Sequence, residues 1–172
     1  MFDITNGSQL TASQAEHLGT AAVINDGSLV LNSGSNWLLA NSITGSGSLT
    51  KNGDGTLSLT QTAAYTGQTD INEGGLILGS SADPMTLASR QVNIANGAFM
   101  GGFGGVAGAI DNTGVLFVGH PTASTAPIMG RLAPASNIFT VGTDLTNSGT
   151  VFIGNKTSDG TGTTGNQLVV NG

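Results

Sequence analysis

The chain has 172 residues and a formal net charge of −6, with only 8 % charged residues but 28 Gly, 22 Thr, 16 Ser and 15 Asn. A globular surface usually carries about 25 % charge, so the Ala/Glu/Lys/Leu-rich coiled coils and helix bundles are excluded. Four Lys+Arg against ten Asp+Glu exclude a basic nucleic-acid-binding face.

Val, Ile, Leu and Phe make up 42 positions, above the ~20 % below which a core is not expected. The chain is therefore expected to fold, as many short strands joined by tight turns. Without cysteine there is neither a disulfide nor a thiolate metal site. No apolar run approaches the ~20 residues of a membrane helix, and Met1-Phe2-Asp3-Ile4 lacks the pattern of a signal peptide.

One phrase recurs along the chain: an aliphatic residue, two or three turn formers, Gly, then aliphatic residues two and four places on. Ile4-Thr5-Asn6-Gly7 is its first appearance. Ser13-Gln14-Ala15-Glu16-His17-Leu18-Gly19 interrupts it with the signature of a one- or two-turn helix: Ser at the N-cap, Glu three later, Gly at the end. The phrase returns in 24–31, around Gly27, and loosely in 49–59, around Gly53 and Gly55. Further copies follow in 71–78, 94–99, 110–118 and 145–153, and Gly172 begins another. Asn or Asp before Gly makes a tight turn, and the following i+2 and i+4 residues share one strand face.

The turn glycines 7, 27, 55, 74, 97, 114, 149 and 172 stand 20, 28, 19, 23, 17, 35 and 23 residues apart. A sandwich gives turn signals every 8–12 residues, so two hairpin strands could share one ~20-residue period. The phrase repeats in phase, however, which favours one coil per period. The predicted fold is all-β: a parallel β-helix of seven or eight coils, a rod about 35 Å long at one strand spacing per coil. Its interior ladder is read as Leu29, Leu31, Leu57, Leu59, Leu76, Leu78, Leu116, Val118, Val151 and Ile153. Ser, Thr and Asn suit the exterior, where stacked like charges would repel. The 35-residue step holds three of the four prolines, so residues 119–137 are read as a loop protruding from the rod.

Residues 49–79 carry more. Leu49, Lys51, Gly53, Gly55, Thr56, Leu57 and Leu59, then Tyr65, Gly67, Thr69 and Ile71, then Gly74, Leu76, Leu78 and Gly79 fit L-x-K-x-G-x-G-T-L-x-L…Y-x-G-x-T-x-[IV]-x-x-G-x-L-x-L-G. This stretch resembles the passenger-associated transport repeat of bacterial autotransporters. Residues 139–150 are similar to a phrase late in adhesin-type passengers, and 166–172 resemble the start of a further coil. The resemblance implies a right-handed parallel β-helix (solenoid), with residues 1–172 a single segment of a longer passenger secreted by the type V route. It implies display on a Gram-negative cell surface through a C-terminal outer-membrane barrel, and a part in folding near or within the autochaperone region. The partners it implies are adjacent coils, that barrel, and a host surface or a second copy.

No catalytic, cofactor-binding or metal site is assigned. His17 and His120 are read as surface residues. Asp26, Asp54, Asp70, Glu73 and Asp111 mostly fall in turns, although Asp70 and Glu73 could pair as polysaccharide-cleaving carboxylates do. Gly101-Gly102-Phe103-Gly104-Gly105-Val106-Ala107 holds a nominal G-x-G-x-x-A but leads into another turn, not a helix. Gly53-Asp54-Gly55 and Asp159-Gly160-Thr161-Gly162 lack the tandem period of calcium-binding glycine repeats. Trp37 is read as core or coil cap ahead of a sugar platform. The expected role is a non-catalytic structural or adhesive stalk, against the alternative of a β-helical carbohydrate-active enzyme or glycan-binding module.

Overall fold

A computed structural model describes residues 1–80, 82–119, 138–153 and 167–172. The strands follow one another as coils. The first coil has β1 (Phe2–Ile4), β2 (Gln9–Ala12) and, in place of a third strand, one turn of 3₁₀ helix at Ala15–His17. The second has β3 (Val23–Asn25), β4 (Ser28–Asn32) and β5 (Trp37–Leu39). The third has β6 (Ile43–Gly45), β7 (Ser48–Asn52) and β8 (Thr56–Leu59), and the fourth β9 (Ala63–Tyr65), β10 (Gln68–Ile71) and β11 (Gly75–Leu78). The fifth has β12 (Met85–Leu87), β13 (Gln91–Ile94) and β14 (Phe99–Gly102). The sixth has β15 (Gly104–Val106), β16 (Ala109–Asn112) and β17 (Val115–Val118). The seventh has β18 (Ile138–Val141), β19 (Leu145–Asn147) and β20 (Thr150–Ile153), and β21 (Gln167–Val170) opens another.

Every ladder between these strands is parallel, and each strand pairs with its counterpart one coil away. The molecule is a β-solenoid with three faces, in agreement with the repeat. Face one is β1-β3-β6-β9 followed by β12-β15-β18-β21. Its ladder lapses between β9 and β12, where Ala88 N still donates to Ala63 O at 3.1 Å and Arg90 N to Thr66 O at 3.3 Å. Face two is the seven-stranded sheet from β2 to β19 and face three the six-stranded sheet from β5 to β20.

Three corrections follow. The expected seven or eight coils become six complete three-strand coils among the described residues, because the first coil has only two strands and the last is only opened. The glycine spacing mixes two corners. Gly7 and Gly27 precede face two, whereas Gly55, Gly74, Gly97, Gly114 and Gly149 precede face three, so the 28-residue step is one coil plus a change of corner. The register itself advances by 20 from Ser28 to Ser48 and by 35 from Val115 to Thr150. Third, Ile153 is 51 % exposed and Val151 only half-buried. Their strand β20 is the outermost of its sheet among the described residues, so only one coil covers them. The other eight ladder residues are buried.

The interior is a set of columns one strand spacing apart. Trp37, Leu57, Leu76, Met100, Leu116 and Val151 stack on face three, and Trp37 is a core residue. On face two the column Leu10, Leu29, Leu49 continues into Thr69, Val92, Ile110 and Leu145. Its neighbour runs Ala12, Leu31, Lys51, Ile71, Ile94, Asn112 and Asn147. Outside face three, Phe117 stacks on Phe152 with centroids 5.2 Å apart and meets Phe99 edge-on at 6.0 Å. Of the 119–137 loop only Gly119 lies among the described residues, as do neither His120 nor residues 159–162.

Candidate functional site: the polar locks of residues 49–78

Lys51 and Thr69 are polar residues in columns that are aliphatic on both sides of them, and both fall in the stretch that carries the longest motif. Burying a charge or hydroxyl is costly unless its hydrogen bonds are met, so the partners of each decide what it does.

Lys51 faces inward from β7 and is 0 % exposed. Its ammonium turns to the corner between faces two and three. There it donates to the carbonyls of Asn52 at 3.0 Å, Gly53 at 2.6 Å and Glu73 at 3.1 Å. The last bond crosses to the next coil. The Glu73 carboxylate returns across the same gap, accepting from Gly53 N at 2.8 Å. Gly53 sits at φ 82°, a backbone state that favours glycine, which explains glycine two places after the lysine. Burial pulls the Lys51 pKa down to about 8, against the opposing pull of the Glu73 and Asp54 carboxylates.

Tyr65 ends β9 and is also fully buried. Its hydroxyl lies 2.7 Å from Thr69 Oγ1, which donates to Ser89 Oγ at 3.0 Å. Ser89 Oγ donates in turn to Gly67 O at 2.6 Å. A chain of hydroxyls thus closes the corner between faces one and two and crosses from the fourth coil to the fifth. The motif's Y-x-G-x-T supplies three of its four members. Burial raises the Tyr65 pKa well above the ordinary phenol value, with the Thr69 hydrogen bond pulling the other way. Ser89 is the member sequence reading missed; it lies beyond the motif, and no pattern marks it. The lysine was visible as a motif position, but its burial was not.

Asp26, Asp70 and Glu73 each accept a hydrogen bond from a neighbouring coil. Asp70 Oδ1 accepts from Gln68 Nε2 and Asn93 Nδ2, both at 2.7 Å, while Glu73 is occupied at Gly53. Asp70 and Glu73 thus have different hydrogen-bond partners. Asp26 Oδ1 accepts from Ser46 N at 2.8 Å and Ser46 Oγ at 2.9 Å, bonds that lower its pKa. Asp54 is exposed in a turn, whereas Asp111 is exposed on β16 and Asp70 lies on β10, both in strands and not in turns as expected. His17 is an exposed residue of the 3₁₀ turn, its Nδ1 accepting from Ser13 N at 3.4 Å. Residues 101–107 span two strands joined at a corner, with Gly102 and Gly104 at positive φ. Among the described residues no three His, Cys, Asp or Glu converge as metal ligands.

Residues 49–78 match the family model of the passenger-associated-transport-repeat, the stretch that supplies Lys51, Tyr65 and Thr69. The chain is 42 % identical over 163 residues to the uncharacterized protein YuaQ of Escherichia coli (strain K12), covering 94 % of the chain and 11 % of that protein. It is 41 % identical to the uncharacterized lipoprotein YdeK of the same strain, over 59 % of the chain and 8 % of that protein. The adhesin BmaC autotransporter of Brucella suis biovar 1 (strain 1330) is 33 % identical over 87 % of the chain and 5 % of its own length. The chain thus spans about a tenth or less of these curated relatives. No solved structure matches it significantly. The repeat, the parallel solenoid and the similarity to an autotransporter adhesin together support an autotransporter passenger.

Proposed function

We propose that this segment is a non-catalytic stalk of a longer passenger. It supports folding and outer-membrane translocation, and it displays an adhesin or virulence factor on a Gram-negative cell through a C-terminal barrel carried elsewhere in the polypeptide. The observation that carries this reading is the transport repeat itself: two stacked coils whose corners are closed by Lys51 and by the Tyr65 hydroxyl chain.

The physical rationale is sequential. A strand edge with unpaired N–H and C=O groups is a template for the next strand, and a solenoid is stabilised mainly by contacts between neighbouring repeats. Polar locks that complete only when two coils are in register make residues 49–78 a suitable seed, which is the autochaperone role. The similarity to BmaC, which is named an adhesin, supports the adhesive part. Asp26, Asp70 and Glu73, each hydrogen-bonded to a neighbouring coil, support a non-enzymatic role.

The test is Leu76→Asp in the full polypeptide on whole cells, read by antibody labelling and protease resistance. Leu76 is fully buried between Leu57 and Met100, so both signals should be lost. Retention of both would overturn the stalk reading.

A further inference from the structure

A concavity lies along the corner between faces one and two. It is an open groove of about 560 Å³ whose lining comes from the first to the fifth coil. Its lining includes Gly7, Gly27, Gly47 and Gly67, the register partners Gln9, Ser28 and Ser48, and Gln68. Asp26, Ser46, Asp70 and Arg90 also line it.

Three features define what fits. The lining is polar, with no aromatic or aliphatic side chain, so an apolar ligand gains nothing there. One register position presents a polar group at each coil, Gln9, Ser28 and Ser48 being successive partners, so a ligand along the rod meets a hydroxyl or an amide every ~4.8 Å. The corner's main-chain groups are engaged between coils: Ser28 N donates to Ser8 O, Ser48 N to Gly27 O and Gly47 N to Asn25 O. A peptide adding itself as a strand would find no free edge.

Capacity for hydrogen bonds remains in the side chains. Asp26 uses one oxygen, Oδ1, for Ser46, and Arg90 is exposed and forms no ion pair among the described residues. Two acids and one base leave the groove close to neutral, with donors and acceptors mixed. A pyranose ring offers hydroxyls that both donate and accept, and in an extended glycan each ring is about as long as one coil is high. We infer that this groove binds an extended neutral polysaccharide lying parallel to the solenoid axis, about one sugar to a coil. The inference rests on coil geometry and stands or falls apart from surface display.

The experiment is calorimetric titration of the 172-residue chain with gluco-, manno- and N-acetylglucosamine-based oligosaccharides of two, four and six units. A heparin hexasaccharide is the anionic counter-probe. At least one neutral series should bind, tightening ten-fold or more from two to six units. Ser48→Tyr, which fills the groove, should weaken binding at least ten-fold, whereas Ser58→Tyr on face three should leave it unchanged. Both variants are first checked for an unaltered thermal transition. If Ser48→Tyr does not fold, Asp26→Ala and Arg90→Ala, at exposed positions, replace it. The inference is overturned if no neutral hexasaccharide binds, if heparin binds more tightly, if length has no effect, or if the groove variants bind as the parent does.

Discussion

Lys51 and Glu73 hold each other's corners across one coil step: the lysine ammonium donates to the Glu73 carbonyl at 3.1 Å, and the Glu73 carboxylate accepts from the Gly53 amide at 2.8 Å. This exchange makes lysine, not leucine, the residue of choice in an interior column. Lys51→Ala would leave three corner carbonyls without their donor and a cavity in the column. A cost of about 3 kcal/mol or more is expected, read by urea denaturation. Lys51→Met, which keeps most of the volume, should recover part of the loss.

The same lysine gives a pH dependence of known sign. Its folded pKa is about 8 against 10.5 for the free side chain. Between these values the unfolded chain binds a proton that the folded chain does not, so stability should rise with pH. The slope is ~1 kcal/mol per pH unit at its steepest. Tyr65 acts in the opposite sense above its ordinary pKa of 10.0, because the unfolded phenol ionises while the buried one stays neutral. The rise should therefore be sought between pH 8 and 10 and be absent from Lys51→Met. An equal rise in that variant would remove Lys51 as its source.

Tyr65→Phe keeps the ring and removes the head of the hydroxyl chain. Thr69 would still donate to Ser89, so only one bond is lost, at about 1 kcal/mol. Ser89→Ala should cost more, about 2 kcal/mol, because it strands the Thr69 hydroxyl and the Gly67 carbonyl in the interior. If Ser89→Ala proved the milder of the two in chemical denaturation, the chain would not run in the direction described.

Much of this architecture was legible because a solenoid repeats its own evidence. An Asn–Gly turn followed by Leu-x-Leu occurs often enough for phase to separate one coil per period from a hairpin pair. Eight of the ten ladder residues that phase picks out are buried, and the other two, Val151 and Ile153, stand in register with Leu116 and Val118. What it could not separate was one corner from another, because Gly27 and Gly55 sit in the same local phrase yet serve different faces. Ile153 keeps its place in register with Val118 but is exposed: the pattern of alternation says which way a side chain points, not whether another coil covers it. The locks were half visible. Lys51 and Thr69 stand out as motif positions, but their partners, Glu73 O and Ser89 Oγ, are set by stacking across 22 and 20 residues of chain.

Glycine separates steric need from conformational need at two positions. A Cβ at Gly67 would overlap the Gly47 carbonyl of the coil beside it, so Gly67→Ala must push coils apart and should cost about 3 kcal/mol. Gly97 has open space but φ of 86°, so Gly97→Ala should cost only about 1 kcal/mol of strain. Gly34, with neither constraint, is the control and should change stability little. Equal losses at Gly67 and Gly97 in urea denaturation would show that stacking distance is not what fixes glycine at that corner.

On the outside of face two, Asn52 is the middle rung of a ladder. Its Nδ2 donates to Asn32 Oδ1 and its Oδ1 accepts from Asn72 Nδ2, both at 2.9 Å and both between residues 20 apart. Asn52→Ala breaks both bonds, and a loss of about 1–2 kcal/mol is expected, since these partners are partly solvated and water replaces some of the contact. Asn32→Ala alone breaks one bond and should cost about half as much. In the double variant that bond is already gone, so the two losses should fall short of additivity by ~0.5–1 kcal/mol. The thermodynamic cycle measured by denaturation decides this: strictly additive losses would mean that the aligned amides coexist on the surface without holding the coils together.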